Sequence, residues 1–221
     1  MIAEKLGVSV DGLPETVTLK YLRKSKNGVL GRTRGTTMWC DQSTLLGTTG
    51  DGAALLVHEL THVVQGYSLS TFRRHKWIAE GIADCMRSQL FPDSPWAIRE
   101  KATFEIGIRM TNSNYSFRQG YFPAASLLIF IQDRIDPEIL VTVDQALKSH
   151  KYRDSFFKER TSKTLDQLWA EFVRHHSTKS ASPPGARAHR STRLPPWTSR
   201  GRAAESGGSG TSIFLSGRPD Q

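Results

Sequence analysis

The run from Asp51 to Gly66, DGAALLVHELTHVVQG, constrains this chain more than any other stretch. Ala, Leu, Glu and Gln favour a helix, Asp51 is a candidate N-cap, and Gly66 suits the position just past a helix C-terminus, so the sequence predicts a helix of about four turns. His58 and His62 are four residues apart and therefore project from one face, one turn above the other. Glu59 is rotated by about 100° from His58, to the side of that face.

Two imidazoles at this spacing are two of the ligands a catalytic zinc uses; such a site takes three protein ligands and leaves the fourth position to water. Bound zinc brings the pKa of that water to about 7. Glu59, off the ligand face, is placed to take the proton as a carbonyl is attacked and to return it to the leaving amine. A third ligand is read in WIAEGIAD, where Glu80 lies 18 residues beyond His62 on a second predicted helix that returns against the first. Gly81 permits close approach of helices. Asp84, one turn after Glu80, is either an acceptor for the outward N–H of a zinc-bound histidine or a surface helix carboxylate. Two other readings of the pair stay open: partly buried core histidines, or a structural zinc, which would leave Glu59 without a role and require a fourth ligand.

The flanking pattern predicts an α+β chain. Glu15 to Leu22 alternates as a half-buried strand, Lys24 to Gly35 is basic and glycine-rich and reads as a hairpin or mobile loop, and Thr36 to Cys40 reads as a second strand. Further helices are predicted over Lys76 to Leu90, from Gly120-Tyr121 with a stripe through Leu127, Leu128 and Ile131, and from Pro137 to about Lys148. A last helix opens on Thr164 and Gln167 in capping-box spacing and ends near His176. Proline, glycine, serine and arginine dominate beyond it, so residues 1–176 are expected to form one domain and 177–221 a disordered basic tail.

The formal charge of +9 would suggest a nucleic-acid partner, but seven basic and two acidic residues after His176 account for +5 of it. The remainder is modest for 176 residues, and no nucleic-acid partner is expected. No apolar run reaches the roughly 18 residues of a membrane span, which leaves no membrane partner expected. Cys40 and Cys85 have no ligand spacing and read either as one bridge or as two buried thiols. No signal-peptide pattern is visible at the N-terminus.

The segments VHELTHVVQGY, WIAEGIADCMRS, GYFPAASLLIF and YRDSFFKERTSKTLDQLWAEF, in this order, resemble the plant basic secretory protein family and its bacterial and fungal relatives over roughly residues 15–176. The resemblance implies a zincin-like metalloprotease fold of gluzincin type, a small N-terminal mixed sheet followed by a mainly helical part, with the Thr36 to Cys40 strand edging the cleft. It implies one Zn²⁺ per chain held by His58, His62 and Glu80, Glu59 as general base, and a protein or peptide substrate. Tyr121 falls where related zincins place an oxyanion-stabilising tyrosine or histidine. A phenol there would donate to the developing charge, or it is a tyrosine packed at a helix start; Tyr115 is a weaker substitute. Relatives carry a helix and a strand ahead of Val17. The resemblance thus implies that MIAEKLG ends such a helix, that N-terminal elements are missing, and that a secretory leader belonged to them.

Overall fold

The computed structural model describes residues 1–22, 29–47, 50–109, 115–180 and 211–214. A one-turn helix, α1 (Ile2–Lys5), precedes three strands, β1 (Thr16–Leu22), β2 (Gly31–Arg34) and β3 (Thr37–Asp41). Helices follow: α2 (Gln42–Leu46), α3 (Asp51–Gln65), α4 (Leu69–Arg74), α5 (Lys76–Leu90), α6 (Pro95–Arg109), α7 (Tyr121–Arg134), α8 (Ile139–Lys148), α9 (Phe156–Thr161) and α10 (Leu165–Ser180). A short strand, β4 (Thr211–Phe214), closes the series. The chain is therefore α+β, a small mixed sheet followed by a mostly helical part. No helix among the described residues is long and apolar enough to cross a membrane.

The sheet runs in the order β2-β3-β1-β4. β1 and β3 are parallel, pairing Thr18 with Thr37 through Leu22 with Asp41, while β2 lies antiparallel to β3 and β4 antiparallel to β1. The parallel pair forms because β2 occupies the far side of β3, so the chain crosses from β1 past β3 before returning. Val17 and Leu19 of β1 and Met38 and Cys40 of β3 point to one face, as their alternation dictates, and bury against Leu55 and Val63 of α3.

α3 is consequently covered on two sides, by the sheet and by α5. The second and larger core is helical and is built on Ile78, Ile82 and Met86 of α5, Leu127, Leu128 and Ile131 of α7, and residues of α8 to α10. Gly81 lets α5 and α7 meet: a Cβ there would sit 2.8 Å from Ala124 Cβ and 3.2 Å from Leu128 Cδ1. The close approach that Gly81 permits is thus to α7 rather than to the histidine helix. Gly81→Val is expected to lower stability by about 1–3 kcal/mol through overpacking. Urea unfolding would measure it, and an unchanged midpoint would contradict this packing.

Caps account for several helix boundaries. Gly66, in the left-handed conformation at φ 57°, ends α3 with its N–H on His62 O. Thr164 and Gln167 form the reciprocal box read from the sequence, at 2.8 and 3.3 Å, and α10 runs on to Ser180. Asp51 is not the N-cap of α3, which is Gly50; it is the first helical residue, and its carboxylate accepts from Trp96 N–H at 2.7 Å. It therefore caps α6 from a distance. Pro137 does not open α8, which starts at Ile139, because Asp136 turns the chain by accepting from Glu138 N–H.

The segment Lys24 to Gly35 contains an edge strand, β2, whose polar sequence Gly-Arg-Thr-Arg carried no apolar alternation; residues 23–28 lie outside the described residues. Of the expected tail, 177–180 extend α10 and 211–214 form β4, where Thr, Ile and Phe supply strand formers opposite the free edge of β1. Residues 181–210 and 215–221 lie outside the described residues. Cys40 and Cys85 are free and buried, and burial pushes the Cys40 thiol up to about 12 and the Cys85 thiol well above its ordinary value.

Candidate metal centre

α3 and α5 bring the chemistry-bearing side chains together. His58 and His62 lie on the face of α3 that meets α5, with their rings edge to face at 4.9 Å between centroids. Glu80 comes from α5, and its Oε2 lies 3.2 Å from His58 Nε2 and 3.4 Å from His62 Nε2. The two Nε2 atoms are 3.3 Å apart. One ligand atom from each of the three residues therefore falls within 4.8 Å of the others, a group that could hold a metal ion.

Hydrogen bonds on the outer side of each imidazole argue for a cation between them. His58 Nδ1 is 2.7 Å from Asp84 Oδ1, a carboxylate that accepts. His62 Nδ1 is 2.8 Å from Gln65 Oε1, while Gln65 Nε2 donates to Ala79 O at 3.0 Å, which fixes the amide with its oxygen toward the ring. With each Nδ1 donating, both Nε2 atoms present lone pairs toward the carboxylate of Glu80. With both imidazoles neutral, three acceptors converge with no donor among them. Two nitrogens and one oxygen of intermediate hardness suit zinc and its transition-metal neighbours, so the residues fit the group.

The electrostatics show the same demand for positive charge, met by a proton on His58 when its Nε2 is not on a metal. Burial disfavours a charged His58, yet the hydrogen bond and charge of Asp84, with Glu80 and Glu59 adding, push its pKa up to about 10. Burial likewise opposes charge on Glu80, and His58 and His62 outweigh it and hold the carboxyl well below the usual range. The pocket, with Glu59, Glu80 and Asp84 all nearly inaccessible to solvent, favours positive charge at its centre.

Glu59 stands beside this group, 3% exposed, and is held from the sheet. Thr33 of β2 donates its hydroxyl to Glu59 Oε2 at 2.6 Å. Gly31, also on β2, leaves room for the carboxylate, since a Cβ there would lie 2.2 Å from Glu59 Oε1. The strand at the cleft is thus β2, whereas β3, expected at the edge, is the inner neighbour of β1.

Tyr121 opens α7 at φ 51°, an uncommon conformation for an aromatic residue. That backbone lays its ring parallel to His58 at 6.4 Å, 45% exposed to the cleft. Burial, then the charge and hydrogen bond of Glu80, push the phenol up to about 12, so it remains a donor at neutral pH. Tyr115 packs against Phe104 at 5.6 Å and is not among the residues lining the cleft. Asp84, 1% exposed, is no surface carboxylate.

The cleft, of ≈ 910 Å³, runs between β2 and the residues of α3 to α7 that face it. Thr33, Gly31, Gln65 and Arg87 in its walls were not singled out from the sequence. Gln65 was within reach of the helical i, i+3 rule applied to His62. Gly31 and Thr33 carried no signal, because their partner is 26 or more residues away.

A family model described as BSP, peptidase of plants and bacteria, matches residues 48–172, a span that contains the two histidines, Glu59, Glu80, Asp84 and Tyr121. No curated protein and no solved structure gives a match.

Proposed function

The chain belongs to the BSP family, peptidases of plants and bacteria, and from that premise we propose that it is a zinc-dependent metallopeptidase with a gluzincin-type site on a zincin-like fold. The observation that carries the reading is the convergence of His58, His62 and Glu80 acceptor atoms with a separate buried carboxylate, Glu59, beside them. The same donor set also serves non-haem iron. The Glu59 carboxylate next to the site and the family favour hydrolysis.

In this reading His58, His62 and Glu80 hold one Zn²⁺, which supplies Lewis-acid chemistry by acidifying water and polarising a carbonyl. Glu59 takes the proton of the attacking water and passes it to the departing amine. Thr33 keeps that carboxylate turned inward. Tyr121 donates its hydroxyl to the carbonyl oxygen as it gains charge. Asp84 and Gln65 hold the two imidazoles in the tautomer with Nε2 unprotonated.

Purified protein is expected to contain about one zinc per chain and to cleave an unstructured protein substrate, with both properties lost together on chelation. Full zinc content without hydrolysis of any peptide bond would support the other reading, a catalytically degenerate zinc-binding protein. Asp84→Asn is expected to weaken metal affinity by about 10–100-fold, because an amide can hold the imidazole less firmly and turn its N–H toward it. Competition with a fluorescent zinc chelator measures this, and wild-type affinity would remove Asp84 from the centre's support.

A further inference from the structure

Arg87 is a buried cation without an ion-pair partner among the described residues. It lies in the wall of the metal cleft, 6% exposed, with its guanidinium 3.6 Å from the centre of the Trp96 ring. Its Nε is buried and makes no hydrogen bond. Among the described residues no carboxylate forms an ion pair with it. Asp84, Asp51 and Glu100 act on it only at a distance, and the first two are occupied, by His58 and by the Trp96 N–H. A buried arginine is ordinarily paired, because an uncompensated charge in low dielectric is expensive.

The position of Arg87 relates it to the metal group. It follows Glu80 by seven residues on α5, almost two full turns, so the two side chains leave the same face of the helix about 10 Å apart along the axis. An extended peptide advances about 3.3 Å per residue. A carboxylate on a bound peptide, one to three residues from the bond over the metal, would therefore reach the guanidinium. Stacking on Trp96 fixes the plane of the guanidinium, as bidentate carboxylate recognition requires. Arg32, Arg34 and Lys76 also line the cleft, as does Glu100, so a peptide carboxylate entering it meets cations on more than one wall.

We infer that Arg87, held on Trp96, is a substrate-carboxylate subsite of this cleft, selecting peptides that present an acidic side chain or a free C-terminus near the cleaved bond. The inference rests on the peptidase reading and names the substrate class for the same cleft. Burial pushes the arginine down to about 10, which leaves it charged at neutral pH. The two sources of the carboxylate differ in consequence: an acidic side chain describes an endopeptidase, a C-terminus an enzyme that trims chain ends.

The test uses the full chain carrying Glu59→Gln and loaded with zinc, so that labelled peptides bind without being consumed. Three peptides of equal length are compared by fluorescence anisotropy. One is amidated and carries Gln, one is amidated with Glu in its place, and one has Gln and a free C-terminus. At least one carboxylate peptide is expected to bind about tenfold or more tighter than the amidated Gln peptide. Arg87→Met is expected to bring the preference to within about twofold, and Arg87→Lys, a point charge without the fork, to lower it by about threefold or more. Equal binding of all three peptides would overturn the inference, as would a preference that survives Arg87→Met, which would mean that the peptide carboxylate grips the metal instead. If Arg87→Met fails to fold by circular dichroism, the comparison of peptides on the parent protein and on Arg87→Lys decides. Peptide preference without hydrolysis by the unsubstituted chain would count against the peptidase reading alone, and hydrolysis without preference against the subsite alone.

Discussion

Glu59→Gln is expected to lower peptide hydrolysis by about 10²–10⁴-fold while leaving the metal content unchanged. The substitution is nearly isosteric, and the amide oxygen can still accept from the Thr33 hydroxyl that now holds Oε2 at 2.6 Å. Gly31 leaves the same space for it. What the amide cannot do is take a proton. The three acceptors that converge on the metal position come from His58, His62 and Glu80, none of which is altered. Rates on an unstructured protein, set beside metal analysis of the same preparation, separate chemistry from binding. A variant that hydrolyses at the parent rate would remove Glu59 from the mechanism.

Stripping the metal is expected to lower the melting temperature by about 8–16 °C, with recovery when zinc is restored. Free metal at about a thousand times its dissociation constant stabilises the folded state by about 4 kcal/mol, and each kcal/mol moves the midpoint of a domain of this size by about 2–4 °C. The physical source is local. Without a cation, Glu80 alone faces the two histidines across contacts of 3.2 and 3.4 Å, with the carboxylates of Glu59 and Asp84 buried beside it. The consequence is general, because α3 and α5 belong to the cores on either side of the site. A calorimetric midpoint that does not move on chelation would exclude a tightly held metal here.

Much of this architecture was readable before any contact was known. α5 over Lys76–Leu90 and α3 over Asp51–Gln65 follow from helix formers and from Gly66, and the box at Thr164 and Gln167 forms as spaced. β1 follows from alternation, and β3 from its β-branched and aromatic residues. β2, β4, α6 and the short helices α2, α4 and α9 were not identified. β2 is an edge strand of polar residues with no apolar face to detect, and α6 begins where Asp51, 45 residues before Trp96, accepts from the Trp96 N–H, the first the helix has after Pro95. Thr33 escaped notice for the same reason, since a threonine between two arginines signals nothing until Glu59 is seen opposite.

The amino-acid order alone determined what depends on a few consecutive residues: that His58 and His62 share a face, that Glu59 does not, and that Glu80 and Asp84 share a face on another helix. Helical period carries that information, because the 3.6-residue turn relates neighbours within one element. The tertiary structure alone decided the distances between elements. It set Glu80 Oε2 3.2 Å from His58 Nε2, turned Asp84 onto Nδ1 of the same ring, brought β2 rather than β3 to Glu59, and left Arg87 on Trp96 without a counter-ion among the described residues. Such contacts arise from packing side chains far apart in the chain, and no local pattern encodes how closely two helices or a strand and a helix approach.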